Sequence, residues 1–252
     1  SKNIEVSYYI PPKIWAWNKR RVYRIKKYVD KLYVIFPFEK DIYSSYGIKA
    51  NYFGNPIFEN KHENEKLKEN VIALLPGSRS QEVNKILPEM LKIVHQFPSY
   101  KFIIVKSSNI CKSHYDKLIR KNSSKNIFVS KEPTLEILGK SKAAIVTSGT
   151  ATLEAVKMNV PQVVCYKTSK LNFYLAKVLL KIKYISLVNI LLNKECVKEL
   201  IQNNLNPKKL YFELNRLIDL NYSKKMVLDY KKIHGLLYQR NTSKKIATDI
   251  LS

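Results

Sequence analysis

Ala143 to Glu154 reads AAIVTSGTATLE. An apolar, strand-like run meets a turn of Thr147, Ser148, Gly149 and Thr150, and the turn opens an apolar-periodic helix. A strand that ends in hydroxyl residues and glycine and feeds a helix gathers free backbone N–H groups and a positive dipole end at one point, which suits an anion. An ordinary strand-to-helix turn capped by Ser or Thr has the same local pattern. From this stretch alone, both a phosphate cradle and a plain capped turn stay open.

Outward from it, the same alternation repeats. Val71 to Leu75 is a buried-type strand followed by PGSRSQEV, in which Ser78 and Gln81 form a capping box, Gly77 frees the turn and Arg79 stands at the helix start within reach of a diphosphate. A solvated Arg on a well-capped helix is the plainer alternative. Strands are expected at 102–105, 127–129, 143–146 and 162–166, with helices at 112–121, 133–139 and 151–158 between them. Strands spaced by helices imply βαβ units and a mainly parallel sheet covered on both faces, a doubly wound α/β fold. Ligands of such sheets bind at the carboxyl ends of the strands, where both glycine turns fall.

Upstream, Val6 to Ile10 is a strand ended by Pro11 and Pro12. The segment from Ile14 to Val29 carries apolar positions at helical spacing against a face of Lys19, Arg20, Arg21, Arg24, Lys26 and Lys27, a basic amphipathic helix. It either packs on a sheet with a solvated face or also touches anionic lipid or substrate. Leu32 to Phe36 is a strand, Pro37 to Tyr46 a helix opened by proline, and Ala50 to Phe53 a strand running into Gly54. Residues 59–70 are polar and lack periodicity, the expected linker between a first domain at 1–58 and a second at 71–252. Beyond Tyr166 come a Lys-flanked apolar helix, a strand-like Tyr184 to Val188, a loop at Asn189 and a helix carrying Glu195, Glu199 and Gln202. The tail from Pro207 forms two or three amphipathic helices, expected to pack back on the first domain.

Composition bounds the chemistry. With 252 residues, 45% of them hydrophobic, the chain can bury a proper core. A net charge of +25 predicts an anionic partner but does not choose among nucleic acid, phosphorylated substrates and membrane. No apolar run approaches the roughly 18 residues that span a bilayer, and SKNIEV lacks a signal-peptide layout, so a cytoplasmic location is expected. Cys111, Cys165 and Cys196 are read as reduced core thiols. There is no GxxxxGK[ST], no GxGxxG and no Asp-x-Asp, and His62, His95, His114 and His234 are scattered without ligand spacing, so P-loop hydrolysis and metal chemistry lack support. Glu154, one turn into its helix, is placed to accept hydrogen bonds from a ribose diol, or is simply a first-turn acid favoured by the dipole.

The runs YYIPPKIWAWNKRRV, FPFEKDIY, FGNP, LLPGSRSQEV, TSGTATLE, YISLVNILL and VKELIQ, in this order, resemble the lipid-A-disaccharide synthases, bacterial glycosyltransferases of GT-B architecture. The resemblance runs over almost the whole chain. It implies one complete Rossmann-like C-terminal domain plus the last part of an N-terminal, acceptor-side Rossmann-like domain. The implied reaction is inverting transfer from UDP-2,3-diacylglucosamine to 2,3-diacylglucosamine 1-phosphate, giving the β-1,6 disaccharide phosphate and UDP. Implied donor-site residues are Arg79, Ser148, Gly149, Thr150, Glu154, Asn189, Glu199 and Gln202, beside the diphosphate turn of Gly77 and Ser78. No cofactor and no metal are expected.

The implied partners are the two lipid-linked sugars and an anionic inner-leaflet surface, met from the cytoplasmic side through basic and apolar patches such as Lys167 to Lys183. Nucleic acid is not among them, and a homodimer is left open. A two-domain enzyme of this kind needs on the order of 100 further residues. These should hold the acceptor pocket and the general base. A UDP-sugar epimerase on the same fold and a non-catalytic basic module for nucleic acid or membrane are the alternatives.

Overall fold

A computed structural model describes residues 4–15, 18–60, 68–122, 124–169 and 183–252. The chain divides into two compact units, Ser1–Lys61 with His234–Ser252 and His62–Ile233.

In the first unit, β1 (Ser7–Tyr9), β2 (Lys31–Val34) and β3 (Ala50–Tyr52) form a parallel sheet in the order β1-β2-β3, connected through α1 (Arg21–Tyr28) and α2 (Pro37–Ser44). Ile14, Val22, Ile25, Leu32, Val34, Tyr43, Ile48 and Ala50 make one buried cluster between helices and sheet. The basic helix is shorter than its periodicity suggests. Asn18 takes a left-handed conformation, so the helix begins only at Arg21; Ile14 is buried ahead of it, Tyr28 is exposed, and Trp17 lies outside the described residues. Pro37 opens α2, and Glu39 in its first turn is fully buried, its carboxylate accepting from the Ile35 and Phe36 N–H groups, the Lys13 ammonium and the Trp15 indole. From the far end of the chain, α10 (Thr242–Leu251) joins this unit. Tyr33 Oη donates to Asp249 Oδ2 at 2.7 Å and Thr242 Oγ1 to the Phe53 carbonyl at 2.9 Å.

The second unit is a six-stranded, all-parallel sheet. Its strands are β4 (Glu69–Leu75), β5 (Lys101–Val105), β6 (Ile127–Ser130), β7 (Ser141–Thr147), β8 (Gln162–Tyr166) and β9 (Lys198–Ile201), in the order β6-β5-β4-β7-β8-β9. Its helices are α3 (Ser80–Leu91), α4 (Lys112–Ile119), α5 (Thr134–Lys140), α6 (Ala151–Lys157), α7 (Leu187–Leu192), α8 (Pro207–Ile218) and α9 (Leu220–Leu237), whose last turn belongs to the first unit. Val71 to Leu75 and Ala143 to Val146 are buried along their whole length, which is why they read as unbroken apolar runs. Side chains from β4, β7, α5 and α6 close one face as a single cluster around Leu75, Ile137, Val146 and Ala155. No helix among the described residues is long and apolar enough to cross a membrane.

One polar contact braces this packing. Lys68 Nζ donates to the carbonyls of Leu138, Gly139 and Met158 at 3.0–3.3 Å, at the C-terminal ends of two helices, where carbonyls take partners from outside the helix. Lys68→Met should therefore lower stability by about 1–3 kcal/mol, read as a shift in the urea midpoint at unchanged slope.

The segment after Tyr184 differs most from its sequence reading. The strand expected at Tyr184 to Val188 is instead an N-cap and helix: Ser186 Oγ accepts from the Val188 N–H and starts α7. Asn189 is a buried residue of that helix and not a loop. Glu199 lies in β9, because the open edge of β8 recruits Lys198–Ile201 as a parallel strand; Glu195 precedes it and Gln202 follows in a 3-10 turn. The apolar helix expected within Lys167 to Lys183 falls largely on residues 170–182, outside the described ones. Of the three cysteines, Cys165 is buried and Cys196 half-buried, but Cys111 is exposed at the start of α4 and is no core thiol. A hydrogen bond with Ser113, ahead of other causes, holds its thiol below the usual range.

Candidate functional site

The strand order sets the site. The chain moves from β4 outward to β5 and β6, then returns to place β7 on the other side of β4, so connections diverge at the β4–β7 boundary. Such a switch point leaves a crevice beyond the carboxyl ends of the strands. A cavity of about 720 Å³ lies there, lined by the loops after β4, β5, β6 and β7. Among its residues are Gly77, Ser78, Arg79, Glu82, Lys106, Ser107, Lys131, Thr147, Ser148, Gly149, Thr150 and Glu154.

At the first turn, Gly77 has φ +113°, a conformation that favours glycine. Arg79, the N-cap of α3, is exposed over the cavity and bonds through Nη1 to Glu82 Oε1 at 3.2 Å. The expected capping box of Ser78 with Gln81 does not form. The helix starts one residue later, and Glu82, its third residue, reaches back so that Oε2 accepts from the Ser78 N–H at 3.2 Å.

At the second turn, Gly149 has φ +153° and open space where a Cβ would stand. The Ser148 N–H is not free, because it extends the sheet by donating to the Cys165 carbonyl at 3.0 Å, and Ser148 Oγ donates to the Ile185 carbonyl at 2.9 Å. The N–H groups of Gly149, Thr150 and Ala151 have no acceptor among the described residues and remain as the donors of the turn. With α6 only seven residues long, these donors count for more than a summed dipole. Glu154 lines the cavity one turn in, and burial raises its carboxyl pKa although the nearby Lys157 opposes the shift. Thr147 Oγ1 is buried and has no partner among the described residues.

Of the residues singled out from sequence, Gly77, Ser78, Arg79, Ser148, Gly149, Thr150 and Glu154 converge on the cavity, whereas Asn189, Glu199 and Gln202 do not line it. These three instead lock the segment behind it. Glu199 accepts from the Ile185 and Ser186 N–H groups and from Asn189 Nδ2; Asn189 Oδ1 accepts from Cys196 and Val197; Gln202 pairs both ways with the Thr168 backbone. Glu199, with Asn189 bonded to it, thereby fixes the Ile185 segment whose carbonyl holds Ser148. Sequence reasoning missed Lys106, Ser107, Lys131 and Glu132. Their only signal is position, at the carboxyl ends of β5 and β6. No cluster of three or more His, Cys, Asp or Glu side chains suited to a metal ion occurs among the described residues.

Comparison with known proteins agrees in fold and family. The chain superposes on a Staphylococcus aureus MnaA–UDP complex with a TM-score of 0.62 at 13% identity, over 98% of this chain and 67% of that one. It superposes on an S. aureus TarM mutant in complex with Fondaparinux, alpha-GlcNAc-glycerol and UDP at 0.62 and 15% identity, over 99% of this chain and 50% of that one. These are likenesses of fold, the α/β arrangement of GT-B glycosyltransferases. Sequence relatives are nearer. Lipid-A-disaccharide synthase of Wigglesworthia glossinidia brevipalpis is 35% identical over 252 residues, covering 94% of this chain and 64% of the relative. That of Coxiella burnetii (strain CbuK_Q154) is 33% identical over 260 residues, covering 97% and 68%. The chain thus spans about two-thirds of the length of the curated relatives it matches. A family model described as lipid-A-disaccharide synthetase matches residues 1–250, and the chain belongs to that family.

Proposed function

We propose that the chain supplies the donor side of an inverting glycosyltransferase of lipid A biosynthesis. In this reading UDP-2,3-diacylglucosamine and 2,3-diacylglucosamine 1-phosphate are joined as the β-1,6 disaccharide phosphate, with release of UDP. The observation that carries it is one cavity, at the switch point, that combines the Arg79 guanidinium, three N–H donors at Gly149 to Ala151 that have no acceptor among the described residues, and the Glu154 carboxylate, in a chain of this family. Arg79 and the N–H groups stabilise the charge that develops on the departing diphosphate, and Glu154 accepts from the ribose hydroxyls. Asn189 and Glu199 contribute by fixing the segment against Ser148, and Gln202 by holding the Thr168 backbone.

Residues 71–233 form the nucleotide-sugar domain in this reading, and 1–58, joined by the C-terminal residues 234–252, the end of the acceptor-side domain. The base that deprotonates the acceptor hydroxyl belongs to the part of the relatives' length that this chain does not span. The acyl chains of both substrates require work at a membrane face. Six cations between Lys19 and Lys27, interleaved with the exposed Tyr23, suit the anionic cytoplasmic leaflet. The epimerase alternative has only shared fold in its favour.

Titration of the chain with UDP by calorimetry tests the site. Arg79→Ala and Glu154→Ala should each weaken binding about 10-fold or more, as expected for loss of a hydrogen bond to a charged group. Unchanged affinity in both would sink the assignment.

A further inference from the structure

The first turn of α3 contains one charged residue that the donor reading leaves without a role. Glu82 lines the cavity, and its two oxygens are divided between two partners: Oε2 accepts from the Ser78 N–H at 3.2 Å and Oε1 from Arg79 Nη1 at 3.2 Å. Gly77 makes this clamp possible. A Cβ at position 77 would lie 2.5 Å from Glu82 Oε2 and 2.8 Å from Glu82 Cβ, so any other residue would push the carboxylate out. Glu82 is half-buried, whereas the Arg79 side chain is 80% exposed and has no other ion-pair partner among the described residues. The turn is braced a second time, by Ser107 Oγ donating to the Ser78 carbonyl at 3.4 Å.

A long exposed arginine otherwise samples many rotamers, and binding a phosphate would have to order it. With Nη1 bonded to Glu82, the remaining guanidinium donors are left for a ligand at the cavity rim. We propose that Glu82 is a positioning residue of the donor site, holding Arg79 over the cavity so that the loop after β4 recognises the diphosphate of the nucleotide. The role rests on the donor reading above and adds a residue to it.

Two other roles are physically available and make different predictions. Glu82 could serve only as a helix cap, and Gln would replace it there because its amide oxygen still accepts from Ser78. It could also be a placeholder anion that a phosphate must displace. Titrating the intact chain with UDP and with uridine, by calorimetry and ligand-observed NMR, separates these in wild type, Glu82→Gln, Arg79→Ala and the double variant. The positioning role predicts that Glu82→Gln lowers UDP affinity about 3-fold or more, leaves uridine affinity unchanged, and adds nothing in the Arg79→Ala background.

A gain in UDP affinity would overturn the proposal in favour of the placeholder. No change with UDP, an equal loss for UDP and uridine, or a loss additive with Arg79→Ala would overturn it in favour of a purely structural role. If wild type binds neither ligand, the donor reading itself falls and takes this proposal with it. Retained wild-type binding with an unaltered Glu82→Gln removes only the role of Glu82.

Discussion

Glu39→Ala should destabilise the unit formed by the first 61 residues and the C-terminal helix by about 3–5 kcal/mol, the range for removing one partner of a buried charge pair. Glu39 is fully buried, and four donors depend on it: Lys13 Nζ at 2.9 Å, Trp15 Nε1 at 3.0 Å, and the N–H groups of Phe36 and Ile35 at 3.2 and 3.3 Å. Burial already pulls the Lys13 pKa down, against the opposing pull of Glu39. Without the carboxylate, the ammonium faces that desolvation alone. The aromatic group around it, with Trp15 edge-on to Phe38 at 5.3 Å and Phe36 stacked on Phe38 at 5.6 Å, loses its polar anchor as well. Both tryptophans of the chain, Trp15 and Trp17, belong to this stretch, so urea unfolding followed by tryptophan fluorescence reads the unit concerned. A loss below about 1 kcal/mol, the scale of a single exposed ion pair, would show that the carboxylate does not organise it.

Asn189→Asp is the second large effect, and its size depends on pH. Asn189 is fully buried with both ends used: Nδ2 donates to the Val197 carbonyl and to Glu199 Oε1, and Oδ1 accepts from the Cys196 and Val197 N–H groups. An ionised aspartate there loses both Nδ2 bonds and sets a second carboxylate against Glu199 in a buried site. Burial and like charge both raise its folded-state pKa above the unfolded value of about 4. A carboxyl with a raised folded pKa binds more protons in the native state, so stability falls as pH rises from about 4 toward that folded pKa. The substitution should therefore cost about 3 kcal/mol at pH 8 and distinctly less at pH 4–5, compared by urea midpoints at the two pH values. Because the same network fixes the Ile185 carbonyl that accepts from Ser148 Oγ, UDP affinity should fall at pH 8 along with stability. A pH-independent loss would mean that the site is open to water.

Local chemistry made most of the fold legible. Buried parallel strands leave unbroken runs such as Val71 to Leu75, and the glycine turns at Gly77 and Gly149 need conformations that few other residues adopt. The segment from Tyr184 to Gln202 was illegible for the opposite reason. Its strand Lys198–Ile201 exists because β8 offers an open edge, and its Asn189 is buried because distant backbone groups satisfy it. Neither fact is written in the local pattern, and helix spacing through Glu195, Glu199 and Gln202 pointed the wrong way.

The stretch AAIVTSGTATLE thus shows both sides. Its apolar run, its glycine and its helix start are set by residue type, since backbone sterics and periodicity act over a few positions. Which of its N–H groups face a ligand is set by tertiary structure. Ser148 is spent on the neighbouring strand β8 while Gly149, Thr150 and Ala151 have no acceptor among the described residues, and strand order alone brings Arg79 to the same cavity. Hydrogen bonds between strands far apart in sequence decide that, and no window of the sequence contains them.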